Sequence, residues 1–217
     1  MGLFYTLHPF DSDKFYREIV PSLKKGLTDR PDLFEGYKRT CINEKTELTP
    51  DLIASIASQF DTEFKSYPGY NAYSTDVFTF RDERDWIEEW SSLFQFIIFQ
   101  ECAFYEPEFT FGKSGIALMY DNTPANSVAK DIFTTIERAT IFSCYSIGIV
   151  NWIKNEDVKL LLLDAKSIRL ANRYKEEFPD LYDYNFDRFL TLVDRHSLGL
   201  VYGVDLLDYR VPGRTLS

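Results

Sequence analysis

Residues 82–106, DERDWIEEWSSLFQFIIFQECAFYE, limit what the rest of the chain can fold into. Read as a helix, Trp86, Trp90, Leu93, Ile97 and Phe104 fall near one face at spacings of three, four or seven. Ile87, Phe94, Ile98 and Cys102 line the adjoining face. From Leu93 to Phe99 only Gln95 is polar, and a helix that is apolar nearly all round is buried. Asp82, Glu83 and Asp85 fall in its first turns, where the helix dipole favours negative charge by about 0.3–1 kcal/mol each. Glu88 and Glu89 extend the acidic side. The sequence therefore predicts a central helix with a wet acidic start and a dry end, around which other apolar faces must gather.

The chain has material for that core. Its 217 residues are 45% apolar and 17% aromatic, enough to close one domain without disulfide or metal staples. Cys41, Cys102 and Cys144 are far apart and set among apolar residues, with no CxxC pair, and read as reduced buried thiols. No apolar stretch resembles a signal peptide or a membrane span, so the expectation is a cytoplasmic protein that does not engage membrane.

Helical spacing recurs along the chain. Asp11 or Ser12 caps a predicted first helix that Gly26 ends, with Pro21 as a possible kink. A second helix is expected over 31–42. Thr49-Pro50 opens a third, running to about Lys65. Thr123-Pro124 opens another to about Trp152, the leucine run over 157–175 reads as helix with a buried strand over Leu160 to Leu163 as the alternative, and Phe186, Leu190, Val193, Ser197, Leu200, Val204 and Leu207 predict a last helix over 185–208. Two exceptions are strand-like: residues 3–7, as an edge strand, and 109–120, as a hairpin about Gly112-Lys113-Ser114-Gly115. The tail after Val211 reads as loose. The expected fold is mainly α: a single domain over 1–217, a bundle of about six to seven helices with a small β-hairpin near 109–120. Its expected core includes Trp86, Trp90, Phe94, Ile97, Ile132, Ile136, Phe142, Leu190, Val193 and Leu200.

Catalytic and metal motifs are weak. With only His8 and His196, and no cysteine cluster, neither a zinc site nor a Ser-His-Asp triad is expected; His196 reads as a structural histidine. Gly112-Lys113-Ser114 resembles the end of a phosphate-binding loop, but Pro107 stands where that loop needs its first glycine. Asp183, Asn185, Asp187 and Asp194 partly match a calcium loop, yet Arg188 occupies the obligatory glycine position. No cofactor and no metal are expected.

The charge distribution is more informative. The chain carries a formal −10, which disfavours direct nucleic-acid binding through phosphates. Between residues 61 and 111, eleven carboxylates against three basic side chains leave −8 of that total. Charge gathered in one place steers a partner of opposite sign. The expected function is an acidic binding protein that neutralises a basic protein partner, with Asp82, Glu83, Asp85, Glu88 and Glu89 as its contacts. The composition has the general character of bacterial immunity proteins that block toxins. The alternative is an enzyme, a hydrolase or transferase, whose interhelical active site is built from residues distant in sequence.

Overall fold

The computed structural model describes residues 4–40, 46–58, 84–112, 148–168, 186–204, 206 and 214–216. In chain order these form strand β1 (Phe4–Phe10), a helical stretch α1 (Ser12–Lys14, a π-helical Phe15–Ile19, then Val20–Lys24), α2 (Pro31–Thr40), α3 (Pro50–Ser58) and α4 (Arg84–Glu101). Then come β2 (Phe109–Gly112), β3 (Gly148–Ile153), α5 (Asn155–Ile168), α6 (Phe186–Arg195) and β4 (Gly199–Val204). The four strands make one antiparallel sheet in the order β2-β1-β4-β3. The fold is therefore mixed α/β, which corrects the expected mainly α bundle with one small hairpin.

The helix boundaries follow local chemistry. Asp11 caps α1, its carboxylate accepting the Lys14 backbone N–H at 2.9 Å. The π-helical turn ends at Ile19, two residues before Pro21, which has no N–H to continue the ladder. Gly26, at φ +66°, ends the stretch: Leu27 N–H reaches Ser22 O and Gly26 N–H reaches Leu23 O, the paired bonds of a Schellman cap. The Thr49 hydroxyl accepts from Leu52 N–H at 3.2 Å and Pro50 sits at the first helical position of α3.

Strand register places side chains on two faces. Thr6, His8 and Phe10 of β1 share a face with Val201 and Gly203 of β4 and with Ile149 and Trp152 of β3. On this side Phe10, Ile149, Trp152 and Val201 join a core formed with α1 to α4. Leu7, Leu200, Tyr202, Ile153 and Phe109 point to the other side and are buried as well. Residues of α5 and α6 are buried with them: Val158, Leu161, Leu162, Phe189, Leu190 and Val193. The sheet is thus covered on both faces.

α4 is the centre of the first layer. Trp90 and every residue from Leu93 to Phe99 are buried, and Trp90 stacks on Phe94 with ring centroids 5.3 Å apart. Phe15 packs edge-on against Phe94 and Trp152, and Trp152 donates its indole N–H to the Tyr16 hydroxyl at 2.8 Å. Of the expected core, Trp90, Phe94, Ile97, Leu190, Val193 and Leu200 are buried. The side chain of Trp86 and residues 132, 136 and 142 lie outside the described residues.

Four expectations are corrected. Residues 4–10 form an internal strand, not an edge, because β1 pairs with both β2 and β4. The helix expected to reach Trp152 does not cover its last residues, since Gly148–Ile153 is strand β3; the rest of its expected span lies outside the described residues. The last helix stops at Arg195, with Leu198 N–H to Val193 O and Ser197 N–H to Asp194 O closing a second Schellman cap in which Ser197 has φ 55°. The residues expected to continue it form β4. The tail is docked at residues 214–216, where Leu216 N–H donates to Glu106 O at 2.8 Å. The hairpin is described only in its first arm, β2, which pairs with β1; its second arm lies outside the described residues.

Candidate functional site

Three polar groupings stand out. The first is the N-terminal end of α4, where the sequence places the acidic contacts. Asp85, Glu88 and Glu89 occupy the first two turns of the helix; Asp82 and Glu83 lie outside the described residues. Glu89 is half-buried and accepts the backbone N–H of Glu47 at 3.2 Å. The Tyr37 hydroxyl donates to the backbone carbonyl of Glu89 at 3.2 Å. Both bonds anchor this end of α4, one to the loop entering α3 and one to α2. They also bring Glu47 beside the acidic turn, and Asp51 follows one turn later; both are exposed. Sequence separation hid this, since the two segments lie some forty residues apart and no local pattern links them.

The second grouping is at the opposite end of the same helix. Glu101 accepts from Lys14 Nζ at 2.6 Å and from Arg30 at 3.0 Å, and Arg30 also pairs with Asp32 at 3.1 Å. Burial raises the Glu101 pKa, but the Lys14 and Arg30 bonds outweigh it and hold the carboxyl below its usual range. Here the acid is balanced from within the chain. Lys14 and Arg30 were not expected to contribute, because nothing in sequence links α1 and the α1–α2 turn to the end of α4.

The third is His8, buried on β1. Its Nδ1 lies 3.2 Å from Phe104 O and 3.3 Å from Tyr105 O, and Nε2 lies 3.0 Å from the Thr6 hydroxyl. Carbonyls only accept, so Nδ1 carries the proton and Nε2 accepts from Thr6. Phe99 and Tyr105 enclose the ring edge-on. A hydroxyl on an oriented imidazole is one element of nucleophile activation. Burial, however, drives the His8 pKa down to about 4, against the raising effect of the two carbonyls, which makes it a weak base at neutral pH. Its contacts are those of a satisfied core histidine. His196, expected to be structural, is exposed in the turn after α6.

Among the described residues no group of His, Cys, Asp and Glu could hold a metal ion, and no helix is long and apolar enough to cross a membrane. The chain matches no protein-family model, no curated protein and no solved structure.

Proposed function

We propose that the protein binds a basic protein partner through the N-terminal end of α4, and that its biological role is to neutralise a toxin as an immunity protein does. The observation that carries this reading is the gathering of negative charge: residues 61–111 carry −8 of the net charge, and within that segment Asp85, Glu88 and Glu89 stand together in the first two turns of α4. The buried C-terminal half of α4 makes the helix a rigid support, and a rigid support limits the entropy lost on docking. Charge of one sign on such a support accelerates encounter with a partner of the other sign.

The test is affinity capture from the native cell with the intact protein, followed by stopped-flow association with the captured partner. A single stoichiometric basic protein is expected, with an association rate that falls as salt rises and falls further in Glu88→Lys. Capture of a small metabolite instead, or an association rate identical in Glu88→Lys and wild type, overturns the reading.

A further inference from the structure

The carbonyl end of α4 holds an arginine. Arg214 donates through Nε to Ala103 O at 3.2 Å and through Nη1 to Gln100 O at 3.0 Å, and its guanidinium lies 4.9 Å from the centre of the Phe104 ring. Two residues further on, Leu216 N–H donates to Glu106 O at 2.8 Å, and Thr215 bridges Glu106 in parallel strand pairing. Three features make the cradle: carbonyls left open at a helix end, where the dipole is negative; an aromatic face that attracts a guanidinium; and a backbone edge that accepts an extended segment. The Thr215 side chain is exposed and that of Leu216 half-exposed, so the cradle selects an arginine followed by extended backbone.

We propose that this cradle is an arginine-accepting docking site, occupied in cis by Arg214–Leu216, and that an extended arginine-bearing segment of a protein partner binds it by displacing that strap. The site is separate from the acidic turns of α4. The helix is 18 residues long, which sets its two ends about 27 Å apart, so the proposal does not rest on the reading above. The Arg214 bonds to the Gln100 and Ala103 carbonyls and its contact with the Phe104 ring lie at a partly exposed surface, where a competing arginine can replace them.

The experiment uses a chain ending at Gly213, with its fold checked by circular dichroism. It is titrated with a peptide of residues 210–217, RVPGRTLS, while the amide resonances of residues 100–106 are followed by NMR. Saturable shifts are expected, with affinity at least tenfold higher than for the intact chain and at least tenfold lower when the peptide carries Arg214→Ala. If the shortened chain does not fold, full-length Arg214→Ala takes its place and is expected to bind the wild-type peptide more tightly than the intact protein does. A folded strapless chain, or Arg214→Ala chain, that ignores millimolar peptide overturns the proposal, as does equal binding of the wild-type and alanine peptides.

Discussion

Lys14 and Glu101 face each other at 2.6 Å across the junction of α1 and α4, with Glu101 shared by Arg30. Both side chains of the Lys14–Glu101 pair are partly withdrawn from water. Glu101→Gln removes the charge and is expected to destabilise the fold by about 1.5–3 kcal/mol, the range for hydrogen bonds to charged groups. The folded-state pKa of Glu101 lies below its ordinary value. Its stabilisation is therefore present above the ordinary carboxylate pKa and is lost as pH falls through the folded value. Urea midpoints measured for wild type and Glu101→Gln should converge as pH drops through that range. A gap that stays constant would remove Glu101 from the acid response.

His8 gives the fold a second acid dependence. Its pKa falls from 6.5 to about 4 on folding because burial disfavours the imidazolium. The stabilisation is complete above pH 6.5 and declines as pH falls between those two values, because the unfolded chain takes up the proton first. The slope for one proton is about 1.4 kcal/mol per pH unit at most. His8→Asn keeps a donor near the Phe104 and Tyr105 carbonyls and should flatten that window. Imidazole NMR should show His8 neutral at pH 5.5; a charged ring there contradicts the assignment.

Glu89 serves the fold as well as the proposed interface, since its carboxylate holds the Glu47 backbone N–H. Glu89→Gln keeps an acceptor and removes the charge, whereas Glu89→Ala removes both. Glu89→Gln should lower the thermal midpoint less than Glu89→Ala, which is expected to cost about 0.5–1.5 kcal/mol, the net contribution of an ordinary hydrogen bond. Equal midpoints for the two variants would show that the hydrogen bond contributes nothing.

Gly26 closes α1 where the chain passes Pro50. A Cβ at Gly26 would stand 2.0 Å from the backbone oxygen of Pro50, at a φ of +66° that side chains rarely adopt. Gly26→Ala is expected to destabilise by at least about 1–3 kcal/mol, since backbone on both sides must shift. Denaturant unfolding checks this, and an unchanged midpoint would mean that the α1–α3 contact yields freely.

The sequence by itself determined the features that rest on neighbours along the chain. The Asp11 and Thr49-Pro50 caps, the Gly26 stop and the buried turns of α4 all depend on bonds or faces within a few residues, and they stand as read. The last helix was misjudged at Ser197, which takes a left-handed φ without the glycine that usually marks such a stop. Beyond it, β4 is buried on both faces, so Leu200, Val201 and Tyr202 form a continuous apolar run in which the two-residue period of a strand cannot be seen. In β3 a register shift between Ile149 and Asn151 turns Ile149 and Trp152, three apart, to the same side, and that spacing imitates a helix. Tertiary structure alone decided which acids are answered. Lys14 and Arg30 reach Glu101, the Glu47 backbone reaches Glu89, and Arg214 reaches the carbonyls of Gln100 and Ala103. Those contacts span roughly 40 to 115 positions of sequence, and no periodicity or local propensity encodes a hydrogen bond whose two partners are brought together only by the packing of the core.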